Sequence, residues 1–114
     1  MPNAPAVFDF EVQRNSTVPL EIQFKTDGNP VNITGYTFAA SVFNKEGTQN
    51  FANFSVEYVN RSIGKLKFKL TPTQTNGFTP NELVYDIKYK QPNQDQFYLL
   101  EGTIFVSDGH TVIP

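Results

Sequence analysis

Residues Lys65–Leu70 read KLKFKL, and this stretch decides the fold class. Successive side chains of a β-strand point to opposite faces, so the lysines would lie on one face and the large apolar side chains on the other. A strand with one wet and one dry face is typical of an antiparallel sheet that packs against a core. The same period of two recurs along the chain, so we predict an all-β domain.

Six further segments alternate in the same way, and turn-forming residues separate them. They are 7–13, 18–25, 36–44, 54–58, 83–90 and 97–106. About seven strands at intervals of about 8–12 residues are typical of a β-sandwich or a barrel. Pro19 has no N–H to donate, so we expect it at the start of its strand or at a sheet edge.

One short helical turn is predicted near residues 72–76. Thr71 followed by Pro72 is typical of an N-cap with proline at the first helical position, and Gly77 is a typical helix end. We expect this turn to carry the chain from one sheet to the other.

The chain is predicted to be a single β-sandwich domain, 1–114, because it contains no linker and no internal repeat. Only 39% of the residues are apolar, but eleven phenylalanines and five tyrosines supply a large area for a core. A net charge of −2 with interspersed signs gives no basic field for nucleic acid or a membrane surface. Met1–Ala6 lacks the regions of a secretory signal, and no apolar run is long enough for membrane insertion.

We predict no catalytic, cofactor-binding or metal-binding residue, and therefore a protein that is not an enzyme. His110 is the only histidine and cysteine is absent, which removes the usual zinc and copper sites and histidine-activated nucleophiles. Calcium would need converging carboxylates, and the loop acids are dispersed at Asp27, Glu46, Asp95 and Asp108. A glycosidase-type carboxylate pair would not show in a sequence, but most acids fall at outward strand positions, where a solvated surface is the ordinary explanation.

Lys65, Lys67 and Lys69 form a local positive face that Lys88 and Lys90 could extend. Nucleic-acid binding would need such a basic stripe beside aromatic side chains. Charged residues also protect a strand against aggregation, and we favour this simpler explanation. We therefore expect no nucleic-acid partner.

The last strand breaks the alternation. Phe97, Leu99 and Phe105 fall at its outward positions, where polar residues are expected. Small proteins rarely leave a large apolar patch uncovered, so we predict that these residues, with Phe43 as a weaker candidate, contact a partner. Two alternatives stay open, namely a β-bulge at Gly102 that reverses the register, or cover by the N-terminal residues.

Tyr85 lies early in the sixth predicted strand, just after a turn. Immunoglobulin-like domains place a corner tyrosine there, and its hydroxyl bonds back to the preceding backbone. A core tyrosine with its hydroxyl at the surface fits the sequence equally well. Both interpretations stay open.

Four parts of the chain resemble, in the same order, small proteins encoded among the structural genes of tailed phages. Residues 28–36, GNPVNITGY, resemble their G-x-P-v-D-L-T-G-y segment, and 64–75, GKLKFKLTPTQT, resemble their G-x-v-x-l-x-L-T-x-x-x-T strand and turn. Residues 84–87, VYDI, together with 99–106, LLEGTIFV, resemble their Y-x-Y-D-l…l-l-x-G-x-v-x-V ending. The turn 14–17, RNST, takes the place of their R-G-D-T.

Three residues depart from the pattern of these phage proteins. Asn15 replaces the turn glycine, Asn32 replaces the aspartate, and Val84 stands where the family has a further aromatic residue. None of these changes would disrupt a sandwich.

The resemblance implies an immunoglobulin-like antiparallel β-sandwich in a virion, at the tail, the baseplate or the capsid surface. It implies a structural or adhesion function without catalytic residues, with other virion proteins or further copies of the chain as partners. The alternative hypothesis is a carbohydrate-binding sandwich that stacks host-surface glycans on Tyr36, Phe43 and Tyr98. The predicted inward positions of Tyr36 and Tyr98 count against this alternative.

Overall fold

Two β-sheets pack face to face around the core, in agreement with the predicted all-β sandwich. The computed structural model describes residues 5–111 and 113, so most of the Met1–Ala6 segment lies outside the described residues. In chain order the strands are β1 (Ala6–Val7), β2 (Phe10–Gln13), β3 (Val18–Gln23), β4 (Lys25–Thr26), β5 (Asn29–Pro30), β6 (Thr37–Asn44), β7 (Asn50–Asn53), β8 (Ser55–Asn60), β9 (Lys65–Leu70), β10 (Glu82–Lys90) and β11 (Gln96–Ser107). A 3-10 turn covers Arg61–Ile63, and the helix α1 covers Pro72–Asn76.

The strands are ordered as in an immunoglobulin-like sandwich. The larger sheet runs β7–β6–β10–β11, and both β1 and β2 pair with the remaining side of β11. The smaller sheet runs β3–β9–β8, and β4 and β5 form a separate hairpin. The pairs of β1 and β2 with β11 are parallel, whereas the other described pairs are antiparallel. The sequence predicted antiparallel neighbours only, because a period of two does not show the direction of the partner strand.

The stretch Lys65–Leu70 forms β9, the central strand of the smaller sheet. Its three apolar side chains are at most 1% exposed, and its lysines alternate with them on the outer face. In the cross-strand register Lys67 lies between Glu21 of β3 and Glu57 of β8. Opposite charges at directly opposed positions stabilise a sheet, so the neighbouring strands partly balance the positive charge of β9.

Side chains from both sheets meet in the core between them. Phe54 packs on Phe68 of the smaller sheet with 6.4 Å between ring centroids, and on Tyr85 of the larger sheet with 6.2 Å. Phe54 lies where the chain leaves β7 in one sheet and enters β8 in the other. One contiguous cluster of buried side chains therefore joins the two layers.

The helix α1 confirms the predicted helical turn and carries the chain from β9 in the smaller sheet to β10 in the larger. Thr71 is the N-cap and exchanges hydrogen bonds with Gln74 in a capping box, and Gly77 follows the last helical residue. The buried hydroxyl of Thr75 donates to the carbonyl of Ser16 and accepts from the amide N–H of Ser16. The helix therefore also holds the turn between β2 and β3.

Three short strands, β4, β5 and β7, were not predicted. Asp27 and Gly28 both have positive φ and form the tight turn of the β4–β5 hairpin, which is too short to show alternation. In β7 the register shifts at Phe51, and this bulge conceals the period of two. Pro19 lies second in β3, which is an edge strand, as predicted.

Two of the three residues that depart from the phage-protein pattern, Asn15 and Asn32, lie in turns, and Val84 lies within β10. Asn15 has a φ of 63°, a left-handed conformation that asparagine tolerates better than most residues in place of glycine. The side-chain oxygen of Asn32 accepts a hydrogen bond from the N–H of Thr34 at 2.9 Å, as an aspartate oxygen could. Gly35 follows with a φ of 84°.

Arg14 joins three separated parts of the chain. Its guanidinium donates to the carbonyl of Phe78 at 2.6 Å and to three acceptors in residues 79–81. It also forms an ion pair of 2.7 Å with Asp108, just after β11. The turn after β2, the loop before β10 and the end of β11 are therefore held by one side chain.

Tyr85 adopts neither of the two predicted arrangements. It is 2% exposed, and its hydroxyl donates to the carbonyl oxygen of Phe8 at 2.5 Å. Phe8 lies between β1 and β2, beside Gly102 of β11, where a Cβ atom would be only 2.0 Å from that same oxygen. The sequence could not show this contact because it joins residues that are 77 positions apart.

Candidate functional site

A β-bulge at Leu99 decides where the side chains of β11 point. Leu100 pairs with Ile87 of β10, but Tyr98 pairs with the next residue of β10, Lys88, so Leu99 is the extra residue. An inserted residue reverses the alternation on one side of the bulge. The structure therefore has the reversed register that was left open as an alternative, but its origin is Leu99 and not Gly102.

The residues of the predicted partner surface do not lie on one face. Phe97 is paired with Tyr89 on the inner side, with 5.7 Å between ring centroids, and Leu99 packs against the core. Phe105 stays on the outer face and is 42% exposed, and Phe43 is half-buried on that same face. The prediction that Phe97, Leu99 and Phe105 share one outward face is wrong. It assumed an unbroken alternation along β11, whereas the bulge at Leu99 reverses the alternation. A binding role for Phe43 and Phe105 stays a prediction.

The bulge also turns Tyr98 to the outer face of the larger sheet, although an inward position was predicted. Its side chain is 49% exposed, and the Nζ of Lys88 lies 5.1 Å from its ring centroid. Tyr98 and Phe43 line a shallow groove of about 620 Å³, which we call the outer-face groove. The groove is also lined by Val7, Val84, Asp86 and Glu101.

Two carboxylates oppose each other in the outer-face groove, since Asp86 of β10 pairs with Glu101 of β11. Partial burial raises the pKa of Asp86, and the charge of Glu101 raises it further, while Lys88 acts in the opposite direction. The two ion pairs among the described residues involve other groups, at Arg14–Asp108 and Lys45–Glu82. The groove therefore presents carboxylate oxygens beside aromatic rings, an arrangement that can accept hydrogen bonds from hydroxyl or N–H groups.

The third aromatic residue considered for glycan stacking, Tyr36, lies on the inner side, as predicted. It is half-buried in an aromatic cluster, where its ring centroid is 6.0 to 6.3 Å from those of Phe24, Phe38 and Tyr89. Tyr36 therefore does not share a surface with Tyr98 and Phe43.

A second groove, which we call the side groove, runs along one side of the sandwich and is almost entirely apolar. It has a volume of about 480 Å³. It lies between β1 and β11 of the larger sheet and β3 of the smaller sheet. Its lining includes Phe8, Leu20, Glu21, Ile22, Leu99 and Leu100.

The two sheets that flank the side groove differ in width. The larger sheet is five strands across, with β1 and β2 sharing one position, and the smaller sheet is three strands across. Side chains of β1, β3 and β11 line the groove together, so its walls come from both sheets. Its rim at the start of the chain is open to solvent, since Val7 and Phe8 are 72% and 47% exposed.

The described residues bring no three His, Asp or Glu side chains together as a metal site, and this includes the loop acids considered for calcium. Within residues 5–111 and 113, no helix has the length and apolar character needed to cross a membrane. Neither models of known protein families nor curated protein sequences match this chain. The resemblance to tailed-phage proteins therefore stays a prediction.

Proposed function

We propose that this protein is a non-enzymatic structural or adhesion component of a tailed-phage virion, at the tail, the baseplate or the capsid surface. It acts through contacts with other virion proteins. The observation that carries this proposal is the side groove, where half-buried apolar residues of both sheets lie beside the exposed side chains of Val7 and Phe8. Burying one large apolar side chain contributes about 1.5–3 kcal/mol, so cover by a partner would be strongly favourable.

The segments that resemble phage proteins support the proposal through their structural roles. Arg14 and Thr75 tie the turn after β2 to distant loops, and Asn15 and Gly35 have the positive φ that their turns need. These residues stabilise the turns and loops of the sandwich. Such a role is what the proposal requires of a rigid block in an assembly.

The proposal is tested by locating the protein in purified particles. Phage particles from a lysate are separated on a density gradient, and each fraction is analysed by quantitative mass spectrometry. We expect the protein to sediment with intact particles at a fixed number of copies per particle, and immunogold labelling would separate head from tail. A protein that is abundant in the lysate but absent from the particle fraction would contradict the proposal.

A second candidate function, binding of host-surface glycans, is favoured by the outer-face groove. Phe43 and Tyr98 lie there beside the carboxylates of Asp86 and Glu101, and sugar sites combine an aromatic platform with hydrogen-bond acceptors. A glycan array would give saturable binding that Tyr98→Ala abolishes. Phe105→Ala is the matched control, because Phe105 is an exposed aromatic residue of the same face that does not line the groove. Binding that both variants lose equally would rule out the groove as the site.

A further inference from the structure

The side groove is bordered by a free sheet edge. Among the described residues β3 pairs with β9 alone, so its other side has no partner strand. Such an edge presents backbone N–H and C=O groups that can pair with an added strand. Natural proteins usually protect exposed edges against pairing with another chain. The availability of this edge therefore depends on which backbone N–H and C=O groups β3 leaves unpaired.

The register of β3 identifies those groups. Phe24 donates its N–H to the carbonyl of Gly64 at 2.8 Å, and this pair continues the register between β3 and β9. Hydrogen-bonded and non-hydrogen-bonded pairs alternate in an antiparallel ladder, so the even-numbered residues of β3 bond to β9. The backbone N–H and C=O groups of the odd-numbered residues therefore point to the free edge. These residues are Pro19, Glu21 and Gln23.

The free edge is short, and its hydrogen-bond donors lie at one end of β3. Pro19 has no N–H, so the donors are those of Glu21 and Gln23, while all three residues offer a carbonyl. An added strand can therefore pair fully only beside the C-terminal half of β3. Glu21 and Ile22 of that half line the side groove together with Leu99 and Leu100.

Pairing β3 with the β3 of a second copy would also extend the smaller sheet. Two antiparallel β3 strands centred on this short edge would place Glu21 opposite the Glu21 of the second copy. Like charges at directly opposed positions destabilise a sheet. The charge of Glu21 therefore disfavours a second copy and favours a segment of another protein that carries a positive residue at this position.

We propose that the free edge of β3 binds one extended segment of a partner protein as a fourth strand of the smaller sheet. Alternate side chains of that segment are apolar and enter the side groove. The residue of the segment that lies opposite Glu21 on the outer face is lysine or arginine. Glu21 has a positive neighbour, Lys67, on its β9 side, and a positive residue on its other side would add a second favourable pair. This inference rests on the proposed docking function and names the chemistry of the partner.

The test uses a defined probe, the capped peptide TVTVKVTT, with the purified full-length protein. A peptide of the same composition with its three valines consecutive is the control. We expect saturable binding of the alternating peptide, measured by fluorescence anisotropy, and at least tenfold weaker binding of the control. Hydrogen exchange at the amides of Glu21 and Gln23 should slow on binding.

Three variants at one position distinguish strand addition from simple apolar contact. Glu21→Pro removes an edge N–H and leaves the β9 ladder intact, so binding should fall at least tenfold. Glu21→Ala keeps that N–H and removes only the charge that faces the peptide lysine, so the binding affinity should fall by only about two- to fivefold. Glu21→Lys should reverse the preference and bind TVTVEVTT more tightly than TVTVKVTT, which decides the question even if Glu21→Pro fails to fold.

Two results would overturn the inference. One is equal binding of the alternating and control peptides. The other is a dimer of the protein alone, found by analytical ultracentrifugation, in which the Glu21 amide is already protected. Neither result affects the particle analysis by mass spectrometry, so the virion proposal and the strand-addition proposal fail separately.

Discussion

The hydroxyl of Tyr85 donates a hydrogen bond to the backbone carbonyl of Phe8 at 2.5 Å and so joins β10 to the break between β1 and β2. Two other bonds act at the same break. The N–H of Phe8 donates to the carbonyl of Glu101 at 2.9 Å, and a carboxylate oxygen of Asp9 accepts from the N–H of Thr103 at 2.8 Å. These contacts therefore add to the parallel backbone pairing of β1 and β2 with β11.

Tyr85→Phe should lower the free energy of unfolding by about 1–2 kcal/mol, because the Phe8 carbonyl loses its donor from a buried side chain. Urea unfolding monitored by circular dichroism measures the change. Tyr98→Phe removes a hydroxyl from a half-exposed side chain and should change stability by less than about 0.5 kcal/mol. Equal effects of the two substitutions would show that the Phe8 bond does not hold the first strands.

Alkaline pH should destabilise the protein through the same tyrosine. Burial, with a smaller effect of the Asp9 charge, raises the pKa of Tyr85 from 10.0 to about 12. The native state therefore keeps the proton that the unfolded chain releases first. This stabilisation is complete below pH 10 and is lost as the pH rises to about 12, by an amount on the order of 2–3 kcal/mol.

Unfolding curves of the wild type and Tyr85→Phe between pH 8 and pH 12 separate this contribution from general alkaline effects. The advantage of the wild type over Tyr85→Phe should shrink across this range and reverse near pH 12, because the alkaline loss exceeds the stabilisation by the hydrogen bond. Some alkaline dependence should remain in the variant, because burial and the neighbouring Tyr36 also raise the pKa of Tyr89. Parallel curves over the whole range would mean that Tyr85 does not titrate with a raised pKa.

Gly102→Ala should be strongly destabilising, by about 3 kcal/mol or more, because the new methyl group would meet the Phe8 carbonyl oxygen at 2.0 Å. β1 would have to move away from β11. Thermal unfolding gives the size of the effect, and faster hydrogen exchange at the Phe8 amide would locate it. Gly109→Ala is the control, since its nearest neighbour would be 3.9 Å away. Unchanged exchange at Phe8 would contradict this mechanism.

The strands that could be predicted are those whose pattern is local. In Lys65–Leu70 the apolar residues alone decide which face is buried, and Thr71, Pro72 and Gly77 fix the ends of α1 through bonds within a few residues. The parallel pairing of β1 and β2 with β11 could not be predicted, because it joins distant parts of the chain, as the bond from Tyr85 to Phe8 also does. Patterns of period two carry no such information.

The candidate sites were harder to predict than the fold because one inserted residue changes several side chains together. Leu99 reverses the register of β11, so Phe97 turns inward and Tyr98 turns outward. No glycine, proline or other turn-forming residue marks this bulge in the sequence. Gly102, the glycine nearest to it, instead allows the backbone of Phe8 to pack closely against β11. The side groove is lined by residues of β1, β3 and β11, so it depends on how the two sheets pack and not on the pattern of any single strand.

Asp86→Asn should stabilise the protein at pH 7 by less than about 1 kcal/mol, because it removes a like-charge pair with Glu101 at a half-exposed position. Burial and Glu101 raise the pKa of Asp86 above 3.8, so its charged form costs stability above that native pKa. The wild type should recover this stability as the pH falls through the raised pKa, and the variant should not.

Urea unfolding of both proteins at pH 7 and near pH 4 tests this expectation, and the advantage of Asp86→Asn should be smaller at the lower pH. Glu57→Gln is the control with the opposite sign, because Glu57 faces Lys67 and its loss should weaken the smaller sheet at pH 7. If Asp86→Asn lowers stability at pH 7, a favourable contact of the carboxylate outweighs its repulsion from Glu101. Glu101 would then be the carboxylate of the outer-face groove that is left to accept hydrogen bonds from a glycan.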